Sequence, residues 1–175
     1  MNTLETQRVR LEPLTAQHAE AMFQGLSNPR LYEFIAEEAL KSIDELRRRY
    51  TRLESRRSPD GREAWLNWVL FSKPELRARG YVQATVHDTG ASVAFVLFED
   101  AWGQGFAREA VGLMLPHLRD AYGARTASAT VDPRNRRSVR LLEALGFALA
   151  KMRTGAELVH GVLTDEAEYV LPIRA

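Results

Sequence analysis

The stretch FEDAWGQGFAREA, Phe98 to Ala110, sets Gly103, Gly105 and Ala107 at alternate positions between an apolar run and a helix-like repeat. Glycine carries no Cβ, so a main chain built this way lets a ligand come close to its N–H groups. A helix that begins here adds unpaired N–H groups and a partial positive charge at its first turn, which suits an anion such as a phosphate. Two familiar phosphate loops are excluded. Gly105 is followed by Phe106, Ala107 and Arg108 rather than by the Lys and Ser or Thr of a P-loop, and Arg108 stands where a dinucleotide fingerprint needs a third Gly or Ala. A second polar constellation, NRRSVRLLEALGF from Asn135 to Phe147, opens a helix with Asn135, places Ser138 one turn on, and closes at Gly146. Each of these residues also has a structural reading, since Asn is a favoured N-cap and Gly a favoured helix terminator.

The elements that must carry these residues follow from apolar periodicity. Arg8 to Leu14 alternates as a short strand, and Thr15 caps a helix whose buried face is Ala19, Met22, Phe23 and Leu26. Ser42 and Glu45 form a capping box for a second helix striped by Ile43, Leu46, Tyr50 and Leu53. Three β runs follow at 63 to 72, 79 to 87 and 92 to 98, joined by short turns that favour an antiparallel meander. The third run is apolar at consecutive positions, which predicts cover on both faces. A helix over 105 to 121 contains Pro116, whose missing N–H breaks the bond to the Gly112 carbonyl and predicts a kink, and Gly123 ends it. A strand over 124 to 131, the helix opened by Asn135, and two strands near 148 to 153 and 166 to 172 complete an α+β domain over 1–175.

Composition narrows the partners. The 24 basic and 23 acidic residues leave a net charge of +1, which gives no broad attraction to nucleic acid. Cysteine is absent, and His18, His87, His117 and His160 are scattered, so neither a thiolate site nor a sequence-local zinc signature is indicated and no metal is expected. The arginine cluster Arg47, Arg48, Arg49, Arg52, Arg56 and Arg57 reads as a solvated helix face. No apolar run reaches the ~18 residues of a membrane span, so a cytoplasmic protein without a membrane partner is expected.

The order strand, Gly/Ala-rich turn, helix, strand, then Asn-x-x-Ser opening a helix that ends in Leu-Gly-Phe resembles the GNAT superfamily of N-acetyltransferases, particularly its RimJ/RimL-like branch. The likeness begins at LETQRVRLEPLTAQHAEAMF and continues through WGQGFAREA to NRRSVRLLEALGF. The family's (Gln/Arg)-x-x-Gly-x-(Gly/Ala) loop falls on Trp102, Gly103, Gln104, Gly105, Phe106 and Ala107, with Trp at a position where Gln or Arg is common. The tyrosine that many members place seven residues after the helix-opening Asn is here Leu142. The resemblance implies a central mixed, mostly antiparallel sheet flanked by helices and splayed between its fourth and fifth strands.

It also implies acetyl-CoA as cosubstrate, bound by the backbone of Gln104 to Arg108 at its pyrophosphate and paired along its pantetheine arm with Phe95, Val96 and Leu97, with Asn135 facing the arm. Such an enzyme moves an acetyl group to a primary amine of a small molecule or a protein N-terminus by direct attack. Ser138 is then a proton donor to the departing thiolate, and the N–H near Leu97 serves the oxyanion. For the base, Glu99, His87, Glu33 and Glu37 stay open, as does bulk solvent. Tyr32, Glu33, Phe34, Glu37 and Glu38 form an aromatic and acidic lip for a cationic acceptor, or else the aromatics anchor the loop to the core. A non-catalytic acyl-CoA-binding or sensing module and a ribosome-associated factor are the alternatives, the latter with Arg134, Arg136, Arg137 and Arg140 meeting RNA where otherwise they meet the coenzyme's phosphates or solvent, and a homodimer is allowed for.

Overall fold

The computed structural model describes residues 1–174; Ala175, which ends the domain expected over 1–175, lies outside them. One eight-stranded sheet runs through the molecule in the order β1-β2-β3-β4-β5-β6-β8-β7. Its strands are β1 (Leu4–Glu5), β2 (Val9–Pro13), β3 (Ala64–Ser72), β4 (Arg77–His87), β5 (Gly90–Leu97), β6 (Thr126–Val131), β7 (Ala148–Val159) and β8 (Val162–Pro172). All neighbours are antiparallel except β5 and β6, which are parallel and in register at only Gly90↔Thr126, Ala91↔Ala127 and Ser92↔Ser128. Because β1 adds a strand that the alternation pattern did not show, the expected fourth and fifth strands are β5 and β6, and the splay lies between them.

The helices pack in two layers. α1 (Ala19–Leu26) and α2 (Ile43–Leu53) cover one face of β2 to β4, where Met22, Leu46 and Tyr50 meet Val69 and Phe71. α3 (Phe106–Tyr122) and α4 (Arg136–Ala144) cover the other, with Met114, Leu118, Val139 and Leu142 against Trp68, Val82, Val93 and Tyr169. Local chemistry explains the boundaries. Ser42 Oγ accepts from the Glu45 N–H at 3.2 Å and starts α2, and Gly123 at φ +71° ends α3, a left-handed conformation that costs glycine nothing sterically. Helix α3 is continuous through Pro116, and both Pro116 and Gly112 are exposed, so water can serve the carbonyl that the proline leaves unpaired.

Two expectations are corrected. β5 is not covered on both faces: Ser92 and Ala94 are exposed, because α1 and α2 shelter that face only as far as Val96. The last two strands are longer than their alternation suggested and meet in a hairpin turned by His160 (φ +48°) and Gly161 (φ +82°). Register shifts between Leu149 and Lys151 and between Arg153 and Glu157 break the period of two in β7, which hides the strand from a sequence pattern.

Candidate active site

The splay creates the site. The Phe98 N–H donates to the Arg79 carbonyl at 2.8 Å, so the main-chain groups of Phe98, Val96 and Ala94 point toward β4. By the alternation of an antiparallel ladder, those of Phe95 and Leu97 point the other way, toward β6. Strand β6 pairs with β5 no further than Ser92, so this edge opens on a cleft of about 420 Å³. That volume lies within the ~300–1,000 Å³ typical of small-molecule sites.

The cleft is lined at one end by Phe95, Val96, Leu97 and Trp102, and at its base by Gly103, Gly105, Phe106, Ala107 and Arg108. Gly103 (φ +73°) and Gly105 (φ +82°) are left-handed, and a Cβ built on either would meet no protein atom within 4 Å. Both glycines line the cleft, so bare backbone rather than side chain meets a ligand at the start of α3. The back of the loop is braced. Arg8 Nη2 donates to the Gln104 carbonyl at 2.8 Å, Gln104 Nε2 donates to the Asp100 carbonyl at 2.5 Å, and Arg77 and Arg79 hold the Asp100 carboxylate at 2.6 and 3.1 Å. Gln104 thus faces the support rather than the cleft.

Helix α4 forms the opposite wall. Asn135 Oδ1 accepts from the Ser138 N–H at 3.2 Å, so the asparagine caps the helix and both residues line the cleft. The turn before it is fixed by Asp132, whose buried carboxylate accepts from the Arg134 N–H at 2.8 Å and from its guanidinium at 2.6 Å. That contact holds the Asp132 carboxyl below the usual carboxylate range. Four guanidinium groups, of Arg30, Arg108, Arg137 and Arg140, line the cleft, which makes it a place for a polyanion.

Of the remaining residues singled out by sequence, Glu99 does not line the cleft; its carboxylate is held by Arg30 and by Asn28 Nδ2, the latter at 2.8 Å. The segment from residue 30 to residue 40 is a partition. Arg30, Leu31, Phe34 and Ile35 face the cleft, whereas Tyr32, Glu37 and Leu40 face a small cavity under α2 with Tyr50, Asn67, Tyr81 and Gln83. The Tyr32 hydroxyl donates to the Leu26 carbonyl at 2.8 Å, which is the core-anchor reading of that aromatic, and burial pushes its pKa up. Burial also pushes the Tyr81 hydroxyl up to about 12. Glu37 pairs with Arg49 at 2.8 Å, and Glu33 is exposed outside the lining, so the expected acidic lip is not assembled at the cleft. The β7–β8 turn closes this side, with His160 Nε2 2.7 Å from the Tyr32 carbonyl.

Arg137 and Arg140, two of the arginines that the sequence sets against the coenzyme's phosphates or solvent, line the cleft, whereas Arg30, Ile35 and Leu141 line it and escaped the sequence reading. The helical spacing of Ser138 with Leu141 is a signal that would have found the last of these.

Comparison with known proteins agrees with this geometry. The model of the acetyltransferase (GNAT) domain matches residues 8–148, and the chain belongs to that family. It is 23% identical over 166 residues to an N-acetyltransferase, p20, of Bacillus licheniformis, an alignment covering 94% of this chain and 93% of that protein. The fold matches a RimL ribosomal L7/L12 α-N-protein acetyltransferase solved with coenzyme A (TM-score 0.86, 18% identity, 98% of each chain). It also matches spermidine N-acetyltransferase from Vibrio cholerae solved with CoA and spermine (TM-score 0.82, 18% identity, 96% of this chain and 97% of that one). The RimL match agrees with the RimJ/RimL-like resemblance, and both solved relatives carry the fold rather than the substrate.

Proposed function

We propose that the protein transfers an acetyl group from acetyl-CoA to a primary amine, on a small molecule or a protein N-terminus, by direct attack and without a covalent enzyme intermediate. The observation that carries this reading is the free edge of β5 running straight into the bare glycine loop at the start of α3. An extended arm can add to such an edge as a strand does, while an anion at its end settles on the helix N-terminus. The guanidinium groups of Arg108, Arg137 and Arg140 supply countercharge to the coenzyme's phosphates.

Acetyl-CoA supplies an activated thioester carbonyl, and the chain's own groups do the rest. A main-chain N–H of this edge near Leu97 donates to the oxygen that becomes negative as the amine attacks. The new C–N bond forms first, giving a tetrahedral oxyanion, and the C–S bond then breaks as the carbonyl re-forms. The Ser138 hydroxyl gives its proton to the departing sulfur and regains one from solvent, and the amine releases its proton to solvent. With Glu99 engaged by Arg30 and Asn28, Glu37 by Arg49, and neither Glu33 nor His87 lining the cleft, the attacking amine comes from its own neutral fraction, so turnover rises with pH through the acceptor's pKa.

Thiol release from acetyl-CoA, measured across a panel of amines and N-terminal peptides, tests the reading. Ser138→Ala should lose on the order of 10² to 10⁴ in turnover while binding CoA with unchanged affinity. Full turnover in that variant returns Ser138 to a helix-turn residue. CoA binding without thiol release to any amine leaves a non-catalytic binding module.

A further inference from the structure

Trp102 occupies the loop position where the family more often carries Gln or Arg, and its contacts give it a role of its own. Its indole Nε1–H donates to the Leu97 carbonyl at 2.8 Å. The Arg137 guanidinium lies 3.8 Å from the centre of its ring, and that of Arg30 lies 5.9 Å away. The ring packs against both hydrophobic cores, one on each side of the sheet. Trp102 therefore ties together the end of β5, the start of α4 and the segment after α1, which are the three walls of the cleft.

The bond to Leu97 is the consequential one. Phe95 and Leu97 turn two N–H groups and two carbonyls toward the cleft, and the indole takes the last carbonyl. An arm that pairs with this edge has the Phe95 N–H, the Phe95 carbonyl and the Leu97 N–H available, and meets an occupied acceptor beyond them. The edge offers a ladder with a built-in end. Without that end, the flexible arm of a ligand whose pyrophosphate rests on the loop can shift its pairing by one repeat of the edge, about 6.6 Å for two residues at ~3.3 Å each, and still make as many hydrogen bonds.

We infer that Trp102 is a positioning residue: its indole N–H blocks the Leu97 carbonyl and so fixes the register in which the coenzyme's arm pairs with β5, placing the thioester beside Ser138. This rests on the coenzyme assignment above. Register control differs from simple binding in what it changes: the pyrophosphate keeps its seat on the loop that opens α3, and an arm paired out of register with β5 carries its thioester away from Ser138.

Two measurements test it. In the wild-type protein the indole N–H protons of Trp65, Trp68 and Trp102 donate to different acceptors, Glu63 Oε2, the Asn2 carbonyl and the Leu97 carbonyl, so they give separate NMR signals once assigned by substitution. On saturation with CoA the Trp102 proton should stay hydrogen-bonded and slow to exchange. Its release would overturn the inference, since the ligand would then be replacing the indole rather than stopping at it. In Trp102→Phe the ring that faces Arg137 is kept and the N–H is lost. The expected result is a CoA dissociation constant within about threefold of wild type and turnover reduced on the order of 10²-fold, the scale of a small misplacement of reacting groups. Unchanged turnover, or affinity lost in proportion to turnover, would sink the register argument. A wild-type protein that does not bind CoA at all is a distinct outcome, which defeats the coenzyme assignment itself. Should Trp102→Phe fail to fold, the wild-type indole signal still decides.

Discussion

Gly105 and Gly123 make a matched pair in which the same substitution separates backbone strain from ligand approach. Both flank α3, both are left-handed at φ +82° and +71°, and a Cβ at either would meet no protein atom within 4 Å. Alanine at each therefore carries the same two terms. Forcing an L-residue into this conformation costs ~1–2 kcal/mol, and reduced freedom of the unfolded chain returns ~0.4–1 kcal/mol. The net is about 1 kcal/mol, a fall in Tm of ~2–4 °C for a chain of this size, and it should be alike in both variants. Only Gly105 lines the cleft. There the added methyl group keeps an anion from the N–H groups of the first turn, and charge-assisted bonds of ~1.5–3 kcal/mol are lost. Calorimetry with CoA should show affinity weakened on the order of 10-fold to 100-fold in Gly105→Ala, since ~1.4 kcal/mol is tenfold, and less than twofold in Gly123→Ala. Equal affinities in the two variants would refute the placement of the phosphates at this loop. A much larger Tm loss in Gly105→Ala would show that the loop is strained for structural reasons instead.

Stability should fall in two steps on acidification. His117 lies edge-on to the rings of Trp68 and Tyr122, and its Nε2 is buried without a partner among the described residues; desolvation lowers its pKa from the ordinary 6.5. The unfolded chain binds this proton more readily than the native one, so stability is full above the ordinary value and declines as pH drops below it, a decline that His117→Phe should remove from a Tm-versus-pH curve. Asp132, held low by Arg134, likewise favours its deprotonated form in the native state and keeps its contribution down to the acid range, losing it as pH falls from the ordinary carboxylate value through its lowered one; Asp132→Asn should flatten that lower step. Because Glu37 is paired with Arg49 away from the cleft, Glu37→Gln should leave the Michaelis constants for cationic amines unchanged, and a salt-dependent rise would restore it to the acceptor site.

Much of the architecture was open to inspection in the residue pattern, because its signals are local. Ser42 and Gly123 mark helix ends by their own side-chain and backbone chemistry, and Gly103 and Gly105 mark a bare loop whatever surrounds them. What escaped depends on partners distant in sequence. The consecutive apolar residues of β5 do not show that Ser92 and Ala94 lack a covering helix, since that is set by where α1 and α2 stop. The carboxylates of Glu37 and Glu99 look available in the sequence, and only folding brings Arg49 to one and Arg30 to the other. Arg137 is one of several arginines along α4 until the splay puts it on the face of Trp102.

The short seam between β5 and β6 also bears on how the chain is made. Strands β1 to β5 are joined by antiparallel pairings in sequence order, so an emerging chain can complete them before β6 exists, whereas closing the seam waits for α3. During that interval the edge of β5, with Val93, Phe95 and Leu97, is an open template for any extended peptide. Nature's usual remedy is to cap such an edge with another strand, and here only the first few residues receive one. The remainder opens on the cleft that Trp102 and α4 also line. Ligand pairing and aggregation hazard share one strip of backbone, and a ligand seated along it would cover the edge that folding leaves bare.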